Sequence, residues 1–352
     1  MLLTLFRALA RAPLWLLHAV GTALGWLTYF ASPSYRRRFR ENVRQAGIAP
    51  ALARPAIGAA GRMVAEAPRL WLRPATEPIG PRLEWHGREL IEAALRAGRG
   101  VVMLTPHMGS FEVTAQAIAQ DLAPAHGPIT VLYRPARQAA LREVMDRSRA
   151  RPGVATAPAT LAGVRQMIRA LRRGEAVGLL PDQVPPEGMG VWVPFFGRPA
   201  YTMTLAARLV HQTGATPLLI WGERLPRGSG YRVRVSALDE PLPAADAAQG
   251  AAGPPQGSVT PSGGGRREAA TSGHHQADAG PPQGGLTPSG GGRREAATSG
   301  HHQAESAAIV NRAMEQLIRQ CPQQYLWGYN RYKQPRSAPP TAPARAVEKN
   351  EE

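Results

Sequence analysis

The longest apolar run in the chain is "APLWLLHAVGTALGWLTYFA", Ala12 to Ala31, about 20 residues without a formal charge. That is close to what a helix needs to cross roughly 30 Å of hydrocarbon. Trp15, Trp26 and Tyr29 stand toward its ends, where interfacial aromatics belong, and Arg36, Arg37, Arg38, Arg40 and Arg44 come directly after it. This cluster outweighs Arg7 and Arg11 on the other flank, so the positive-inside rule puts everything after Arg36 in the cytoplasm. No small-residue cleavage site precedes the basic block, which argues against a signal peptide. The competing reading is a surface-lying or buried amphipathic helix, since His18 and several small residues weaken the hydrophobicity.

Between Glu41 and Ala75 the spacing predicts helix, broken at Pro50, Pro55 and Pro68. Leu90, Ile91, Ala94 and Leu95 then form an apolar helical stripe, Gly98 to Gly100 stops it, and Val101 to Leu104 reads as a buried strand. Helix spacing resumes from Ser110 to Gln120. Strands are expected at 129–134, 175–182, 216–221 and 231–238, with helices at 138–150, 160–172 and 202–213. Strands alternating with helices indicate an α/β layer fold.

Residues 253–306 differ in kind. The unit "GPPQGSVTPSGGGRREAATSGHHQADA" at 253–279 returns almost unchanged at 280–306. Repeats that build folds need apolar positions to stack on their neighbours, and this one has almost none. It is expected to be disordered. Its paired histidines, His274-His275 and His301-His302, lack the rigid frame that would preset a metal site, and no metal is expected. From Ala307 to Arg319 an amphipathic helix resumes, so the core fold is interrupted at Pro254 rather than finished. The expected organisation is an anchor helix at 1–35, a main domain at 36–252 and 307–336 split by the insertion at 253–306, and a mobile tail at 337–352.

Composition narrows the partners. A net charge of +17 favours an anionic one, and 43% hydrophobic content is enough for a core in a chain of 352 residues. All basic side chains but Lys333 and Lys349 are arginines. Cys321 is the single cysteine, so no intrachain disulfide can form.

Candidate chemistry sits in "TPHMGSFEV", Thr105 to Val113, where His107 precedes Glu112 by five places. With 9 histidines and 25 acidic residues, roughly 0.6 such pairs arise by chance, so position must decide. His107 falls just past the buried strand and Glu112 in the first turns of the next helix, where open α/β sheets place their sites. A carboxylate on one imidazole nitrogen fixes the tautomer and frees the other nitrogen to take a proton. No nucleophile-elbow serine or cysteine is present, so direct attack by a substrate hydroxyl is the economical mechanism.

"HMGSFE" resembles the H-x4-D/E box of the glycerolipid acyltransferases, in the H-x-G-x-x-E form of the late (lauroyl/myristoyl) acyltransferases of lipid A biosynthesis. "VLYRPAR" at 131–137, "GEAVGLLPDQ" at 174–183, "VWVPFFGRPAYT" at 191–202 and "CPQQYLWGYNRYK" at 321–333 are similar to that family's later blocks, in its order. Met108 and Ser110-Phe111 replace the commoner Phe and Asn-Trp. The resemblance implies a glycerol-3-phosphate-acyltransferase-like sheet flanked by helices. It also implies transfer of an acyl chain from acyl-acyl carrier protein to a hydroxyl of a phosphorylated, Kdo-bearing lipid A precursor, on the cytoplasmic side of the bacterial inner membrane. No cofactor beyond that co-substrate and no nucleic acid are implied. By motif, His107 would be the general base and Glu112 its orienting carboxylate. Arg134 and Arg149 would face acceptor phosphate or the developing oxyanion, and Asp182 in "LPDQ" matches a family acid of less certain role, with capping after a strand as its plain alternative.

The dyad does not say which hydroxyl it activates, so a lysophospholipid, lyso-ornithine or other glycolipid O-acyltransferase is the nearest alternative. A non-enzymatic basic protein that binds membrane or nucleic acid fits the charge. It leaves the delivery of a His/Glu pair by a buried strand unexplained, and the aromatic-interleaved basic motifs of single-strand binders are absent.

Overall fold

Val101–Leu104 is apolar at all positions and buried on both faces, which a strand can be only in the interior of a sheet covered on both sides. The computed structural model places it there. It describes residues 2–74, 76–133, 151–243 and 291–335, with side chains from residue 6 and, in the last stretch, from residue 302. The expected helix 138–150 lies outside them, as do most of the insertion and the tail. The chain divides into two compact units, Met1–Pro243 with His302–Glu352, and Ala244–His301, and the first contains the sheet.

In chain order the elements begin with helices α1 (Leu2–Arg11), α2 (Leu14–Ala31), α3 (Pro33–Gln45), α4 (Pro50–Ala53) and α5 (Ala56–Leu72). Next come β1 (Leu83–His86), α6 (Arg88–Arg96), β2 (Val101–Leu104), α7 (Phe111–Asp121), α8 (Ala123–His126), β3 (Ile129–Tyr133) and β4 (Val154–Pro158). After these are α9 (Leu161–Arg172), β5 (Ala176–Leu179), β6 (Gly190–Phe195), β7 (Arg198–Met203), α10 (Leu205–Thr213), β8 (Thr216–Arg224) and β9 (Tyr231–Ala237). Last is α11 (Gly291–Gln320), whose helix begins within the second repeat copy; its apolar side chains Val310, Met314, Leu317 and Ile318 are buried in the core.

Seven strands make one sheet in the order β1-β9-β8-β2-β5-β3-β4, and β6 and β7 form a separate hairpin. Neighbours pair in parallel except β8 with β9, so β1 and β9 run against the other five strands. One core fills each face of the sheet. Val102, Leu104 and Val177 join α3, α9, α10 and α11 on one side; Val101, Met103 and Ile220 join α6 and α7 on the other. This is the α/β architecture the alternation predicts, with a sheet flanked by helices and one apolar helix near the N-terminus.

Two local expectations need correction, and two short strands carry little sequence signal. Pro68 does not break its helix: α5 runs through it to Leu72, because burial of Leu70 and Pro68 itself against the core compensates the hydrogen bond the ring removes. The helix expected from 202 starts at Leu205, since 198–203 pairs antiparallel with β6. The short strands β1 and β4 carry little apolar periodicity of their own and take strand form through parallel pairing with β9 and β3.

α2 is not a free-standing rod. It buries Leu14, Leu17, His18, Gly21, Gly25 and Tyr29, while Leu16, Val20, Leu24, Leu27 and Phe30 stay exposed. Its buried face crosses α5 closely, because any Cβ on Gly61 would overlap the carbonyl oxygen of Gly21. At the centre of that crossing Glu66, 1% exposed, accepts from both Nε and Nη2 of Arg224 and meets His18 Nε2 at 2.9 Å. The Ser110 hydroxyl and the Tyr231 hydroxyl donate to the same carboxylate. One buried acid thus ties α2, α5, β8, β9 and the loop after His107 together.

Burial alone would raise the Glu66 pKa, but Arg224 and His18 outweigh it and bring it down to about 2, against an ordinary value of 4.5. A depressed folded-state pKa means stability that is present above about pH 4.5 and lost as pH falls toward 2. Denaturant unfolding of the detergent-solubilised protein should therefore show a stability gap between wild type and Glu66→Gln that narrows steadily from pH 5 to pH 2. A gap independent of pH would contradict an ionised Glu66.

Candidate active site

β2 and β5 are neighbouring parallel strands, so the loops leaving their carboxyl ends emerge side by side. His107 lies in the first loop and Asp182 in the second. The Asp182 carboxylate, 2% exposed, receives the backbone N–H of His107 at 2.8 Å through Oδ2 and sits 2.7 Å from Nδ1 through Oδ1. Burial acts to raise the Asp182 pKa, and the His107 ring, its two hydrogen bonds and the charge of Arg331 together lower it below the ordinary carboxylate value. An ionised carboxylate only accepts, so the proton of a neutral His107 is on Nδ1 and Nε2 is the free basic nitrogen. The imidazole is 18% exposed and, among the described residues, also meets the edge of Phe111, ring centroids 5.1 Å apart.

The loop that carries His107 is clamped from two sides. Leu326 N–H donates to His107 O and Gly109 N–H to Gln324 O, while Ser110 N–H donates to Gly222 O. Gly109 has φ +55, and a Cβ there would overlap Gly222 O, so only glycine lets the loop lie against β8. Tyr325, in the same C-terminal segment, is buried; burial first, and then the Asp182 charge, raises its hydroxyl pKa well above the phenol value. Arg331 is buried beneath, donating to Tyr201 O, to the Thr202 hydroxyl and to Asn311 Oδ1.

Beside the loop a mainly apolar cavity of about 110 Å³ opens under α7. Met103, Val131, Leu179 and Ile220 supply its sheet side, and Thr105 and Glu112 supply polar atoms. Glu112 occupies the first turn of α7, where the helix N-terminus favours a negative charge. Arg151 also lines the cavity and donates to the carbonyl of Arg73. Among the described residues no cluster of three or more His, Cys, Asp or Glu could hold a metal ion.

Residues 2–252 match the model of the bacterial lipid A biosynthesis acyltransferases. The chain belongs to that family. It is therefore an acyltransferase of lipid A biosynthesis, and the resemblance carried by the sequence motifs agrees with this. None of the curated proteins compared with the chain matches it.

The fold brings His107 and Asp182 into contact and sets Glu112 on the cavity wall. Arg134 and Arg149 lie outside the described residues. Trp327 and Arg331 are packing residues of the buried C-terminal segment. Sequence reasoning does not single out Glu66, Tyr325 or Arg331 as residues that support the site. A signal for Glu66 exists, a lone acid in the apolar stretch "RMVAEAPRLWL", since such an acid is buried only when paired.

Proposed function

We propose that this acyltransferase moves a fatty acyl chain from acyl-acyl carrier protein to a hydroxyl of a lipid A precursor, with His107 as general base and Asp182 as the carboxylate that orients it. The observation that carries this is the 2.7 Å contact between His107 Nδ1 and Asp182 at the mouth of two adjacent strands. Nε2 takes the proton of the acceptor hydroxyl as its oxygen attacks the thioester carbonyl carbon. The tetrahedral intermediate collapses, the carbon–sulfur bond breaks, and the imidazolium returns its proton to the departing thiolate. Arg134 and Arg149 are assigned, through the resemblance, to acceptor phosphate or the oxyanion, which guanidinium groups suit. The cavity under α7 supports a place for the start of the acyl chain, with Glu112 on its wall.

Membrane attachment belongs to the same proposal. α5 carries Arg62, Glu66 and Arg69, so it is not itself a spanning helix, and α2 is packed along it. We assign α2 to the membrane surface, with Leu16, Val20, Leu24, Leu27 and Phe30 entering the bilayer of the inner membrane from its cytoplasmic side.

The test is an acyl-transfer assay on isolated membranes with radiolabelled acyl-acyl carrier protein, offering either a Kdo-bearing lipid A precursor or a lysophospholipid. Label should pass to the Kdo-bearing acceptor. Transfer only to the lysophospholipid would replace the acceptor, and transfer to neither would sink the proposal.

A further inference from the structure

A second opening lies away from the His107 loop. It is an open groove of about 880 Å³ between α2, α3, α4 and α5, within the range of about 300–1,000 Å³ common for small-molecule sites. Trp26, Tyr29, Phe39, Val43, Ile48 and Ile57 give it an apolar floor, and Arg40, Arg44 and Arg54 stand on its walls. Among the described residues, none that lines it is acidic, and none of these three arginines is paired with a carboxylate. Arg40 Nε donates to the Tyr29 hydroxyl, and the Arg54 guanidinium lies 5.3 Å over the Trp26 ring. Arg40 and Arg44 are one helical turn apart on α3 and so project from one face.

We propose that this groove holds one anionic diacyl glycerophospholipid, an acyl chain lying on the aromatic floor and the phosphate between Arg40, Arg44 and Arg54. Three features select this occupant. An apolar trough of this size needs a hydrocarbon partner, and three guanidinium groups with no carboxylate among the lining residues need an anion that can accept several hydrogen bonds; the neighbouring Glu41 lies outside the lining and meets Arg37 at 3.9 Å. The groove also opens on the face assigned above to the bilayer: Phe30, which lines it, is 65% exposed, and Leu27 on α2 and Leu52 on α4 are 62% and 60% exposed. The lining includes none of His107, Glu112 or Asp182, so the lipid is a bound membrane component rather than the reacting acceptor. This rests on the proposed membrane-surface placement of α2, but not on the acyl-transfer chemistry.

Native mass spectrometry of the full chain in detergent tests it, with phosphatidylglycerol and phosphatidylcholine of identical chains added in competition. One phosphatidylglycerol per protein should be retained with a preference of at least about tenfold, as three basic groups near a membrane surface would give. The combined Arg40→Gln, Arg44→Gln and Arg54→Gln variant should lose that preference, and Ala51→Trp, which fills the groove without touching its charges, should weaken retention of both lipids. Equal retention of the two lipids by wild type would overturn the proposal without any variant. Unchanged retention in Ala51→Trp, or displacement of the lipid by inorganic phosphate alone, would overturn it too. Because lipid retention is read without turnover, failure here leaves the acyl-transfer assay unaffected.

Discussion

His107→Ala should lower kcat for acyl transfer by about 10⁴-fold, with a far smaller change in KM. Among the described residues, the imidazole is the group placed both to accept the hydroxyl proton and to return it to the leaving thiolate, and general acid–base catalysis contributes about 10²–10⁴-fold. Among the described residues its side chain makes one strong contact, to Asp182, and one aromatic edge contact, to Phe111, so little packing is lost with it. The loop itself is held by backbone bonds from Leu326, Gly109 and Ser110 that the substitution leaves in place. Steady-state kinetics on the variant, with circular dichroism to confirm the fold, is the check. Retention of a tenth or more of wild-type kcat would remove His107 from the chemistry.

The second large effect concerns which carboxylate orients the base. Asp182→Asn keeps the volume but replaces an acceptor by an amide that can donate to Nδ1, which turns the imidazole to the wrong tautomer; the corresponding change in a Ser-His-Asp triad costs about 10⁴-fold. A loss of about 10³-fold or more in kcat is expected. The lowered Asp182 pKa keeps that carboxylate charged at neutral pH, so in wild type it accepts the Nδ1 proton rather than competing for it. Glu112→Gln should cost less kcat than Asp182→Asn. The reverse order, a severe Glu112→Gln and a mild Asp182→Asn, would give the orienting role back to Glu112.

These contrasts mark how far the residues are legible in order. The H-x4-E box is visible because all its members lie within one strand-to-helix turn, and local patterns survive without knowledge of the fold. Glu66 shows the opposite case. Its partners His18, Ser110, Arg224 and Tyr231 come from distant stretches, and no spacing rule links them. α2 shows a third: hydropathy marks it as apolar, whereas its packing along α5 depends on Gly21, Gly25, Gly58 and Gly61 coming to face one another across two helices.

By itself, the amino-acid order determined the alternation of strands and helices, the apolar N-terminal helix, the tandem repeat at 253–306 and the family motifs, because each is written in a local period or a contiguous block. The tertiary structure alone decided that Asp182, 75 residues from His107, meets its Nδ1. That contact exists because β5 is inserted beside β2 in the sheet. Strand order is settled by which faces bury together across the whole molecule, a competition among non-local contacts that no short window of sequence contains.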